Sequence, residues 1–229
     1  MHEELKQRVC QANIELQQQK LVIFTWGNVS GIDRQAGVVA IKPSGVVYEQ
    51  LTAERIVLLD LDGNIIEGDL RASSDTPTHL ELYRNFKEVG GICHTHSTFA
   101  TMWAQACREI PCFGTTHADH FYGPVPVTDI MTAGEIQSNY ELNTGRVIVR
   151  CFAGIDPMHR PAVLVANHGP FTWGKTPQEA VENAVVLEQV AFMAMGTINI
   201  NESQKDISRV LLDKHYLRKH GKDAYYGQE

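Results

Sequence analysis

Two histidines separated by one residue, His94-Thr95-His96, are the sharpest chemical feature of the sequence. They end the run GGICHTH, which reads as a β-strand. Alternate residues of a strand project from one face, about 6–7 Å apart at the backbone. Two imidazoles so placed suit neighbouring positions on one metal ion, and they also suit a polar strand face. His168 follows the apolar run AVLVA and precedes Gly169-Pro170, where a buried strand emerges. Asp75, in Ser73-Ser74-Asp75 ahead of a helix, could add a carboxylate or satisfy free N–H groups at the helix start. Three imidazoles and a carboxylate favour Zn²⁺, and Mn²⁺, Fe²⁺ or Co²⁺ also match those donors.

Other clusters could bind an anion or move protons. Trp26-Gly27-Asn28-Val29-Ser30 and Lys42-Pro43-Ser44-Gly45 each read as a loop after a strand. Glycine lets backbone N–H groups approach a ligand closely, while Ser, Asn and Lys supply further donors. Ser73 and Ser74 add the positive end of a helix dipole, which favours phosphate. Each segment alone could equally be a turn. Neither loop has a Walker A or GxGxxG pattern, so nothing supports nucleotide binding. In Thr115-Thr116-His117-Ala118-Asp119-His120, read as a polar loop, an acid able to transfer protons lies between two imidazoles.

These residues need elements to hold them. Leu5, Val9, Ala12 and Leu16 recur at helical spacing, which predicts an amphipathic helix over residues 3–19. Strands are expected at 21–24, 38–41, 56–60, 90–96, 146–152 and 162–166 from their β-branched runs and flanking turn signals. Helices are expected from Thr76-Pro77, with Thr76 as cap, to about Phe86, and over STFATMWAQAC. A capping box at Thr176–Glu179 opens a long helix to about Ile198. A last helix runs from about Gln204 to His220 and ends at Gly221. Interspersed strands and helices predict an α/β fold in layers.

The 229 residues include 20 Lys plus Arg, 27 Asp plus Glu and 10 His, for a net charge of −7. With 43% hydrophobic and 21% charged residues, the composition is that of a globular chain. No repeat or linker divides it, so a single domain over 1–229 is expected. No block of one charge stands apart, which argues against a nucleic-acid footprint. The five cysteines (10, 93, 107, 112 and 151) form no CxxC pair and no closed disulfide set. Reduced thiols and a cytoplasmic location are therefore expected. No unbroken apolar run approaches 18 residues, so neither membrane insertion nor secretion is expected.

The segments LVIFTWGNVSGIDR, IKPSGV, SSDTPTHLELYR, GGICHTHS, GTTHAD, YELNTGRVI, NHGPFTWGK and LRKHGKDAYYGQ occur in one order along nearly the whole chain. Together they resemble the L-ribulose-5-phosphate 4-epimerase branch of the metal-dependent class II aldolase family. The resemblance implies a mainly antiparallel central sheet covered by helices in layers. It implies that His94, His96, His168 and Asp75 hold the metal. Gly27, Asn28, Lys42, Ser44, Gly45, Ser73 and Ser74 would hold the phosphate of a ketopentose phosphate. Asp119 and Tyr226 would exchange protons on the two faces of the substrate, and His215 and Arg218 would reach a neighbouring subunit. It also implies a homotetramer with its sites at subunit interfaces.

The chemistry so implied has a physical reason. Carbon 4 of a 2-ketopentose phosphate bears no acidic hydrogen, so it can be inverted only by breaking and re-forming the bond between carbons 3 and 4. A Lewis acid and a proton donor and acceptor on each face would serve that reaction. One departure stands out: the family's HADYF is HADHF here, with His120 beside the proposed acid. A second expectation from the same family is an L-fuculose-1-phosphate-type aldolase that releases its fragments. Those enzymes carry a glutamate base where this chain has Asp75. A third is a binding-only module like the adducin head domain, which would be expected to lose the histidines.

Overall fold

In the computed structural model, residues 2–222, 224 and 225 are described. Tyr226 lies outside them. Helix α1 (Glu3–Gln18) leads into strands β1 (Gly27–Asp33), β2 (Val38–Ile41), β3 (Val57–Asp60) and β4 (Ile65–Glu67). Helix α2 (Thr76–Asn85), strand β5 (Gly91–Thr95) and helices α3 (Thr98–Gln105), α4 (Thr115–Ala118), α5 (Ala133–Gln137) and α6 (Tyr140–Cys151) follow. Strands β6 (Ala162–Val165) and β7 (Gly169–Gly174) then precede helices α7 (Pro177–Ile200) and α8 (Arg209–His220).

The seven strands form one sheet in the order β4-β3-β2-β1-β5-β7-β6, antiparallel throughout. The predicted layered α/β architecture is therefore present. Alternation along β5 assigns its two faces. Ile92 joins Leu80, Tyr83, Ile148 and Trp173 in the core beneath α2 and α6. Cys93 joins Val29, Leu16 and Val181 in the core beneath α1 and α7. His94, two residues after Ile92, shares the first of these faces.

Several local expectations are corrected. Residues 146–152, read as a strand, belong to α6: Thr144, Val147 and Ile148 are its buried stripe, and that helical spacing overrides the β-branched content. The run 21–24 forms no strand; Ile23 and Phe24 are exposed, and Phe24 has φ +54°. The first strand starts instead at Gly27, so most of the supposed 26–30 loop is sheet. Helix α2 has Asp75 rather than Thr76 at its cap. Thr176 caps α7 by accepting from the Glu179 N–H, but Glu179 Oε2 accepts from the Lys175 N–H, so the box is half formed. The last helix starts at Arg209, because Ser208 accepts from the Leu211 N–H there. By length and composition α7 could span a bilayer, which the search for an unbroken apolar run overlooked. Here its Ala180, Val181, Leu187 and Ala191 enter the core.

Candidate active site

The sheet brings the first histidine and its neighbours together by register. Asn28 of β1 pairs with His94 of β5, and His94 in turn pairs with Phe171 of β7. His94 stacks on Phe171 with ring centroids 4.1 Å apart at 16°. Its Nδ1 lies 2.9 Å from the Pro170 carbonyl oxygen, and a carbonyl only accepts. Nδ1 therefore carries a proton, and Nε2 on the other side of the ring lies 3.2 Å from His96 Nε2. His168 completes the group from the β6–β7 connection, with Tyr140 Oη 3.4 Å from its Nδ1.

One ligand atom from each of His94, His96 and His168 lies within 4.8 Å of the other two. Burial and the neighbouring imidazoles push His168 down to about 3, and the same causes lower His96. Three ring nitrogens crowded this closely, two of them on imidazoles whose burial favours the neutral form, make a donor set that a divalent cation satisfies. Asp75 lines the same cavity but lies outside that ligand-distance group. Its Oδ2 accepts from Asn28 Nδ2 at 2.6 Å. Burial opposes charge on Asp75, but His94, His79 and the Asn28 amide outweigh it and hold the carboxyl below its usual range.

The cavity encloses about 540 Å³ and brings the three histidines together with Gly27, Asn28, Lys42, Ser44, Gly45, Ser73 and Ser74. Backbone pairing forms one rim of it: the Ser44 N–H donates to the Arg71 carbonyl at 2.8 Å and the Ser73 N–H to the Lys42 carbonyl at 3.1 Å. Asn28 Nδ2 also donates to Ser73 Oγ at 3.1 Å, tying the rim to β1. A Cβ on Gly27 would lie 2.6 Å from Val22 Cγ1 and 2.9 Å from the His94 carbonyl oxygen. Only glycine fits so close to the ligand strand. Lys42 is 2% exposed, with Nζ 3.3 Å from the Pro43 carbonyl and 4.9 Å from the Tyr48 ring centre. Burial lowers it to about 8. A cation so desolvated gains by meeting an anionic ligand.

Asp119 does not line this cavity. It directly follows α4, which replaces part of the supposed 115–120 loop. Arg218 and His215 of α8 converge on it, with His215 Nδ1 3.0 Å from Oδ1 and Lys219 Nζ 3.8 Å from Oδ2. Burial works against its ionisation, but hydrogen bonds from Arg218 and His215 and the charge of Lys219 prevail and lower it. His117 is buried, donates from Nε2 to the Gly123 carbonyl at 2.8 Å, and is pushed down by burial to about 4. It braces the loop after α4. His120 is lowered by burial too.

Sequence reasoning missed Tyr140 and Glu141, both cavity residues. Both open α6, whose later residues 146–151 fall in the run misread as a strand. It also missed His79, which is fully buried with Nδ1 2.7 Å from Ser30 Oγ, itself 2.8 Å from Tyr83 Oη.

Known structures share this fold. A structure of L-fuculose 1-phosphate aldolase superposes with a TM-score of 0.81 at 24% identity, covering 95% of this chain and 96% of that one. The Klebsiella pneumoniae protein YgbL, a candidate aldolase/epimerase/decarboxylase, gives 0.74 at 25% identity over 93% and 99% of the two chains. L-fuculose-1-phosphate aldolase from Thermus thermophilus gives 0.69 at 23% identity over 89% and 100%. Residues 7–195 match the class II aldolase and adducin N-terminal domain, and the chain belongs to that family.

Proposed function

We propose that this chain breaks and re-forms the bond between carbons 3 and 4 of a phosphorylated ketopentose, interconverting L-ribulose 5-phosphate and D-xylulose 5-phosphate. The observation that carries this reading is one cavity lined both by three imidazoles at ligand distance and by a rim suited to phosphate. When bound there by His94, His96 and His168, a divalent ion such as Zn²⁺ supplies Lewis acidity for the negative charge that develops at the ketone and its neighbouring hydroxyl. Asp75 adds anionic charge beside the imidazoles, whether as a further ligand or as a partner of the ligand set.

The protein's own groups do the rest. Lys42, Ser44, Gly45 and Ser73 hold the two-carbon phosphate fragment while its aldehyde turns to present the opposite face. Asp119, held as an anion, takes the proton of the carbon 4 hydroxyl on one face as the bond breaks, and Tyr226 delivers a proton to the oxygen of carbon 4 on the other face as the bond re-forms, the roles exchanging in the reverse direction. Since Asp119 does not line the cavity of its own chain, the complete site draws it, with His215 and Arg218, from a neighbouring copy in a homotetramer.

The similarity to L-fuculose 1-phosphate aldolase supports a second reading, in which the fragments are released. Asp75, in place of the glutamate expected of those aldolases, favours the epimerase. Following L-ribulose 5-phosphate by NMR separates them. The epimerase produces D-xylulose 5-phosphate without free intermediates, whereas an aldolase accumulates dihydroxyacetone and glycolaldehyde phosphate. Unchanged substrate contradicts the first reading, and no cleavage of L-fuculose 1-phosphate either contradicts the second.

A further inference from the structure

His168 sits in the connection between β6 and β7, whose ends pair Val165 with Gly169. Its N–H donates to the Val165 carbonyl at 3.0 Å, closing a turn in which Asn167 takes φ +61°. Most side chains resist that left-handed conformation, and asparagine tolerates it better than most. Asn167 is also tied from outside the hairpin. Its N–H donates to the Ala104 carbonyl at 2.9 Å, and its Oδ1 accepts from Cys107 Sγ at 3.5 Å.

Ala104 belongs to the last turn of α3, and Cys107 follows just beyond the helix end. Cys107 itself has φ +51°, after a helix end where glycine is usual. Its N–H donates to the same Ala104 carbonyl at 3.1 Å, so one oxygen serves two left-handed residues. The N-terminal end of α3 begins two residues after His96. One short helix therefore connects the chain leaving His96 to the residue that precedes His168.

We propose that Asn167 is a positioning residue: it docks the β6–β7 turn on the end of α3 and so fixes His168 relative to His94 and His96. The left-handed turn and the backbone tie carry most of the effect, because a thiol is a weak donor and Cys107 adds only a side-chain latch. The inference rests on the proposed metal-binding reading of the three histidines.

The test uses Zn²⁺ affinity, measured on metal-depleted protein by competition with a chromogenic chelator. Asn167→Ala, which loses both the acceptor and the tolerance for positive φ, weakens Zn²⁺ binding on the order of tenfold. Asn167→Gly restores the backbone freedom alone and recovers part of the affinity. Cys107→Ser keeps a donor and binds close to the unaltered chain. The thermal midpoint of the metal-free variants distinguishes this from general unfolding, and if the alanine variant does not fold, the glycine variant carries the test. Alanine and glycine variants that both bind Zn²⁺ as tightly as the unaltered chain overturn the positioning role. An unaltered chain that binds no stoichiometric Zn²⁺ overturns the metal reading itself, so the two failures are told apart.

Discussion

Arg218 grips both carboxylate oxygens of Asp119: its Nη2 donates to Oδ1 at 3.0 Å and to Oδ2 at 2.9 Å. An acid held this way is an anion at neutral pH, ready to accept a proton. Replacing Asp119 with Asn removes that capacity and should lower turnover by roughly 10²–10⁴-fold, with metal content unchanged. Near-normal turnover, measured alongside the metal content, would remove Asp119 from the mechanism. Arg218→Met takes away the main stabiliser of the anion. It should move the acid limb of the pH–rate profile upward.

Lys42 can titrate near working pH, because burial lowers it to about 8. In the proposed function its protonated form binds a phosphate dianion. KM for a phosphorylated substrate should therefore be lowest below pH 8 and rise above it. Lys42→Met should raise KM roughly tenfold or more at pH 7 and flatten that rise, since a hydrogen bond to a charged group contributes about 1.5–3 kcal/mol. A KM indifferent to pH between 7 and 9 in the unaltered chain would contradict this role.

Two buried histidines make the fold sensitive to acid. Burial lowers His79 to about 3 and His117 to about 4, against an ordinary value of 6.5. Both are neutral in the folded chain and bind protons on unfolding, so stability is full above pH 6.5 and falls below it. The loss amounts to up to about 1.4 kcal/mol per pH unit for each histidine, until the folded-state values are reached. Urea midpoints between pH 8 and 4 measure this. A midpoint that does not fall between pH 6 and 4 would show that neither histidine is held neutral.

Gly27 has φ +148° and no room for a side chain against Val22 and the His94 backbone. Gly27→Ala should cost about 1–3 kcal/mol of stability from overpacking. It should also weaken metal binding, because the displaced backbone is that of His94. Chemical denaturation and metal titration of the variant would check both. An unchanged metal affinity would mean that β1 can shift without moving its neighbour.

The histidines were legible because their signal is local: a strand period for His94 and His96, although β5 ends at Thr95 just before His96, and a strand end for His168. The cavity's Gly, Ser and Lys residues were legible from their types, although most of 26–30 is strand rather than loop. Residues 146–152 misled because Val and Ile favour strands, while the buried stripe through Thr144, Val147 and Ile148 that places them on α6 starts before that run. The contacts of Asp119 with Arg218, 99 residues away, and of Asn28 with Asp75, 47 away, had no sequence signal. They exist only once the sheet and α8 have folded.

In the proposed function the three histidines hold a divalent ion needed to break the bond between carbons 3 and 4. The most direct measurement is a coupled assay for D-xylulose 5-phosphate formed from L-ribulose 5-phosphate by the purified protein, before chelation, after it, and after Zn²⁺ or Mn²⁺ is restored. Product should disappear with the chelator and return with the ion. Product formed equally well in the chelated protein, or none under any condition, would contradict the proposed function.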